Sequence, residues 1–95
     1  MEKDTFKRRC DHDVIANILA ISVEGATRTE IMYGANLSFT LLDRYLTVLV
    51  KNGLLDKLEG KRQTLYVTSE KGRNFLSKYH EIQALYPIKI KKGKF

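Results

Sequence analysis

Thr40, Arg44, Thr47 and Lys51 recur at intervals of four, three and four. On a helix, that spacing gathers all four on one face. The face offers two cations and two hydroxyls with neighbouring methyl groups. Arginine and lysine pair with phosphate or with the acceptor edge of guanine, and threonine can hydrogen-bond a base edge or touch a thymine methyl. Lys61 and Arg62 form a second basic pair inside Glu59-Gly60-Lys61-Arg62-Gln63, a stretch with the composition of a turn. Ser38 can cap the helix that carries the first group, and the backbone donors at such a helix start can hold a phosphate. The chemistry on offer is recognition of a polyanion. Each feature alone is weak, because a polar helix stripe is commonly a solvated face and basic hairpin tips are frequent. Asp43 runs against the pattern. A carboxylate there repels phosphate unless it accepts from a cytosine amino group, supports the helix start, or pairs with a nearby arginine.

The elements that must position these residues can be read along the chain. Asp11 or Asp13 offers an N-cap, and Val14, Ile15, Ile18, Leu19 and Ser22 follow at helical spacing before Gly25 provides a stop. Thr27 and Glu30 match a capping box for a second, short helix whose Ile31 and Met32 face inward and which Gly34 ends. Ser38 opens a third helix that closes at Asn52-Gly53. Its buried stripe is Leu42, Leu46 and Leu49, flanked by Phe39 and Tyr45. Leu54 to Leu58 and Thr64 to Thr68 read as two strands around the basic turn. Ser69 caps a last helix whose Phe75, Tyr79, Ile82 and Tyr86 repeat like a heptad seam, until Pro87 breaks it. Tyr33, Tyr45 and Tyr66 are expected to pack in the core or at its edge.

The order is helix, short helix, helix, strand, turn, strand, helix. Such an arrangement holds the third helix out from the body, where it can enter a major groove, with the hairpin beside it as a wing. The expected fold class is mostly α with a small β-hairpin, a winged helix-turn-helix with a C-terminal dimerisation helix. The expected division is residues 1–10 as a flexible N-terminus, 11–68 as the winged unit, 69–86 as the pairing helix and 87–95 as a basic tail.

Charge sharpens this only partly. The chain of 95 residues carries a formal net charge of +6, but Lys89, Lys91, Lys92 and Lys94 supply four of those charges, leaving the body at about +2. The tail is either a phosphate-binding arm or a solvated extension. A single cysteine, Cys10, excludes an intrachain disulfide and fits a reducing setting. No secretory signal or bilayer-spanning stretch is visible, so the expectation is a cytoplasmic, nucleoid-associated protein without membrane contact. Cys10-Asp11-His12-Asp13 has metal-ligand residue types, but a structural zinc site needs about four ligands at fixed geometry and the only other histidine is His80, so no metal or cofactor is expected. No dinucleotide loop, phosphate loop or nucleophile elbow occurs, and no catalytic residue is assigned.

Ile31-Met32-Tyr33-Gly34-Ala35-Asn36-Leu37-Ser38, followed by Arg44-Tyr45-Leu46, Leu49 and Gly53-Leu54-Leu55, closely resembles the ten-kilodalton winged-helix chromatin proteins of Sulfolobus. Leu65-Tyr66-Val67-Thr68 and Lys71-Gly72 extend the resemblance, which covers roughly residues 14 to 80. It implies duplex DNA as partner, with little sequence selectivity or a role in gene regulation, and a homodimer paired through the last helix. Ser38, Thr40, Arg44, Thr47, Lys51, Lys61 and Arg62 are then the expected DNA contacts, and Phe75, Tyr79, Ile82 and Tyr86 the expected dimer interface. The family continues its last helix further than Pro87 allows here. The alternative is a winged-helix protein-protein interaction module, which the modest body charge, Asp43 and the apolar stripe of the last helix would serve.

Overall fold

The computed structural model describes residues 10–85. Tyr86, the lysine tail and the charged N-terminal residues before Cys10 lie outside the described residues. The elements run α1 (Asp11–Ile21), α2 (Arg28–Ala35), α3 (Phe39–Lys51), β1 (Leu55–Glu59), β2 (Thr64–Thr68) and α4 (Glu70–Leu85). The fold is a winged helix-turn-helix, mostly helical, with one antiparallel hairpin.

Local chemistry fixes the element starts. Thr27 and Glu30 form the full capping box: the threonine hydroxyl accepts from the Glu30 N–H at 3.2 Å and Glu30 Oε1 accepts from the Thr27 N–H at 2.9 Å. Ser38 Oγ accepts from the Leu41 N–H at 3.1 Å and caps α3. At α1 the cap is Cys10 rather than Asp11 or Asp13. Both aspartates stand in the first turn, where the dipole favours them, and spend their carboxylates on tyrosines of other helices.

Gly34 does not end α2. The helix continues to Ala35, and Asn36 takes the left-handed turn at φ 56°. Gly34 serves packing instead, since a Cβ there would lie 2.7 Å from Ile21 Cδ1. The missing side chain lets α2 approach α1. Gly25 lies beyond the end of α1, which closes at Ser22; its N–H reaches Ser22 O at 3.0 Å and its φ is 100°.

The core joins Val14, Ile18 and Leu19 of α1, Ile31 and Ala35 of α2, and Leu42, Leu46 and Leu49 of α3 to Leu55 and Tyr66 of the hairpin. Each fully buried leucine or isoleucine contributes ~1.5–3 kcal/mol. Ser22 and Thr68 are buried among them with their hydroxyls satisfied: Ser22 Oγ donates to Ile18 O at 2.9 Å, and Thr68 Oγ1 donates to Leu19 O at 2.6 Å.

The hairpin register pairs Leu55 with Thr68 and Glu59 with Thr64. Ala26, in the connection between α1 and α2, adds a single bridge to Tyr66 through reciprocal bonds of 3.0 and 2.8 Å. The wing is thereby stitched to the helical body. At the other end of β2, Ser69 Oγ donates to Gly53 O at 2.5 Å and accepts from the Gly72 N–H at 3.1 Å, tying the start of α4 to the end of α3.

Candidate nucleic-acid interface

With Leu42, Leu46 and Leu49 turned inward, the opposite side of α3 presents Thr40, Arg44, Thr47 and Lys51, all exposed. Arg44 and Lys51 stand two turns apart, about 10.5 Å along the axis. Val48 shares this face and is 50% exposed. It lies four residues after Arg44 and three before Lys51, a spacing that the sequence displays but that its apolar type disguised. A solvated valine between two cations is suited to a thymine methyl.

Thr47 is narrower in use than expected. Its Oγ1 donates to Asp43 O at 2.9 Å, so the hydroxyl can accept from outside or present its methyl, but its proton is spent on the helix. Ser38, committed as acceptor to Leu41, keeps its own hydroxyl proton for an outside acceptor. Asp43 pairs with Arg28 of α2, one of the roles open to it from sequence. Lys61 and Arg62 are exposed in the wing-tip loop closed by the Gly60 N–H to Gln63 O bond of 2.9 Å. An ion pair of 3.5 Å between Lys57 and Glu59 lies behind them on β1. The structure therefore places the α3 set on one helix face and the two wing cations at the hairpin tip.

Two aromatic residues depart from expectation. Phe39 is 62% exposed rather than flanking the buried stripe, because it opens α3 on the α2 side and is covered there by the Arg28 guanidinium, 5.0 Å from its ring centroid. Tyr33 is 75% exposed on the outer side of α2, whereas Tyr66 is buried and Tyr45 half-buried.

The seam of α4 divides. Phe75 and Tyr79 are half-buried against α1: His12 stacks on Phe75 at 6.1 Å, Phe75 on Tyr79 at 6.4 Å, and the Tyr79 hydroxyl donates to Asp13. Ile82 and Leu85, further along α4, are 52% and 80% exposed. Cys10-Asp11-His12-Asp13 is likewise engaged, with Asp11 accepting from the Tyr45 hydroxyl at 2.7 Å. Among the described residues no cluster of His, Cys, Asp and Glu could hold a metal ion.

Burial first, and then the hydrogen bond and negative charge of Asp13, push the Tyr79 hydroxyl up to about 12. A raised folded-state value means that this stabilisation is present below the ordinary tyrosine range and is lost as pH climbs from about 10 towards about 12. Chemical unfolding followed across that window should show a falling stability in the parent protein. Tyr79→Phe should be less stable at neutral pH and show a shallower alkaline decline. Parallel curves for the two proteins would remove Tyr79 as the group responsible.

No helix among the described residues is long and apolar enough to cross a membrane. A profile of the winged helix-turn-helix family matches residues 8–86. An uncharacterized protein of Methanocaldococcus jannaschii is 33% identical over 76 residues, covering 79% of this chain and 74% of the relative. Among solved structures, Sso10a-2, a DNA-binding protein from Sulfolobus solfataricus, is similar at a TM-score of 0.73 and 26% identity, covering 90% of this chain and 95% of that one. A mutant MarR from E. coli, complexed with operator DNA, shares the fold at a TM-score of 0.64 and 20% identity, covering 86% of this chain and 61% of that one. The chain belongs to the winged helix-turn-helix family.

Proposed function

We propose that the protein is a non-catalytic binder of duplex DNA, with α3 in the major groove and the wing tip on the backbone. The observation that carries this reading is the outward face of α3, where Thr40, Arg44, Thr47, Val48 and Lys51 are exposed together opposite a fully apolar stripe. Lys61 and Arg62 extend the basic surface from the wing, and Ser38 adds a donor at the helix start. The resemblance to Sso10a-2 supports the same reading. Residues 11–68 form the DNA-binding unit in this proposal, and 69–86 the pairing element of a homodimer. Its contacts centre on Ile82, Leu85 and Tyr86, with Phe75 and Tyr79 acting from behind through α1. The role extends to chromatin association or transcriptional regulation, and a selection for preferred duplex sequences separates the two.

The test is a mobility-shift titration of the full chain against a mixed-sequence duplex, single-stranded DNA and duplex RNA at several salt concentrations. A dimer that neutralises about six phosphates gives a slope of log K against log salt near −5. A slope near zero, or equal preference for duplex RNA, would sink the groove reading. The exposure of Ile82 and Leu85 also favours a second reading, in which this end of α4 docks a different protein. Sedimentation as a monomer at high micromolar concentration, together with no DNA binding at low salt, would move the assignment there.

A further inference from the structure

Arg28 opens α2, and its guanidinium is engaged on two sides. Nη2 donates to Asp43 Oδ1 on α3, while the group lies 5.0 Å above the Phe39 ring centroid. The bland account is a clamp between two helices. Three observations go further. The side chains of Arg28 and Asp43 keep 34% and 57% of their exposure, and ion pairs so open to water hold helices together only weakly. Phe39, at 62% exposure, is a large ring kept at the surface with a cation on its face. The pair also flanks the outward face of α3, since Asp43 directly precedes Arg44 and lies three residues after Thr40.

When the second helix of such a pair lies in the major groove, the first crosses the DNA backbone. Arg28 then stands on the helix that runs across the phosphates. We infer that Arg28 is a phosphate-contacting residue of the interface, and that Asp43 and Phe39 are positioning residues which set its guanidinium before DNA arrives. This inference rests on the DNA-binding reading. A guanidinium has five N–H donors in a fixed fork. Among the described residues Asp43 is its one side-chain hydrogen-bond partner, so most of the fork is open to phosphodiester oxygens. The ring lies beneath the guanidinium and the carboxylate takes one of its donors, which together narrow the orientations the fork samples. Asp43 is thereby withdrawn from base reading, which leaves that task to Thr40, Arg44, Thr47, Val48 and Lys51.

The experiment is a mobility-shift titration of full-length variants across salt, on two unrelated duplex sequences. Arg28→Ala should reduce the salt slope by about one per protomer and weaken both duplexes to a similar extent. Arg28→Lys, which keeps the charge but loses the five-donor fork, should keep the slope and bind with an affinity between those of the parent and Arg28→Ala. Phe39→Leu should weaken binding about two- to fivefold in the parent and have no effect in the Arg28→Ala background. An unchanged slope in Arg28→Ala, alongside a clear loss in Arg44→Ala, reduces Arg28 to a clamp. Equal losses from Phe39→Leu in both backgrounds overturn its positioning role. If the parent chain shows no salt-dependent duplex binding, the DNA reading itself fails and this inference falls with it.

Discussion

Arg44→Ala is expected to weaken duplex DNA binding about 5- to 150-fold, the range for losing one well-placed arginine contact. Arg44 stands at the centre of the outward face of α3, with Thr40 and Lys51 within two turns of it. It is exposed, so its removal should alter folding stability by no more than ~0.5 kcal/mol. That separation makes the result clean. Arg73→Ala is the matched control, because Arg73 is also exposed but stands on α4. It should change affinity less than about twofold, in keeping with a rim charge outside the contact area. If Arg44 reads a guanine rather than a phosphate, its loss will also depend on sequence, whereas a phosphate contact weakens all duplexes alike. Equal effects of the Arg44 and Arg73 variants would take α3 out of the groove.

Gly72→Ala should be the most damaging single substitution to stability among the glycines. In an open helix this change would help, since alanine is a better helix former by ~1 kcal/mol. Here the added Cβ would stand 2.4 Å from Leu54 O and 2.6 Å from Thr68 Cγ2. Neither neighbour can move cheaply. Leu54 O accepts the Ser69 N–H at 3.0 Å, and Thr68 is buried and bonded to Leu19 O. Overpacking against backbone costs ~1–3 kcal/mol. For a domain of this size each kcal/mol lowers Tm by roughly 4–8 °C. Thermal unfolding should therefore show a clear drop, and a raised Tm would mean that α4 can shift away from β1. The same variant tests the route from fold to function, because α4 is docked on the end of α3 through Ser69.

Much of the frame was legible because it is written locally. The Thr27–Glu30 capping box, the Ser38 cap and the Asn52-Gly53 stop are encoded within a turn of the atoms they satisfy. The leucine stripe of α3 likewise predicts its own opposite face. Features that depend on a distant partner were not legible. Gly34 reads as a helix stop, yet its role is set by Ile21 of another helix. Phe75, Tyr79 and Ile82 show one continuous spacing, but that spacing does not say that the first two meet His12 and Asp13 of α1 while Ile82 stays half-exposed. Asp43 was ambiguous because its partner lies 15 residues away. Phe39 has the sequence signature of a core residue, and only Arg28 reveals why it is left at the surface. Val48 was missed because an apolar residue inside an apolar helix gives no signal until the inward face is known.

The bridge between Ala26 and Tyr66 bears on how the molecule moves. Its two reciprocal bonds, together with the Thr68 N–H to Ser22 O bond of 3.0 Å, fasten the root of the wing to the connection after α1. Swinging the hairpin as a unit would break all of these in a buried setting. The amide protons of Ala26, Tyr66 and Thr68 should therefore exchange with solvent on the timescale of global opening, and those of Lys61 and Arg62 far sooner. The wing is thereby held at its root. If exchange follows this pattern, adaptation to a bound surface falls to the loop between Gly60 and Gln63, and the ordering entropy lost on contact falls on a few side chains rather than on a whole hairpin.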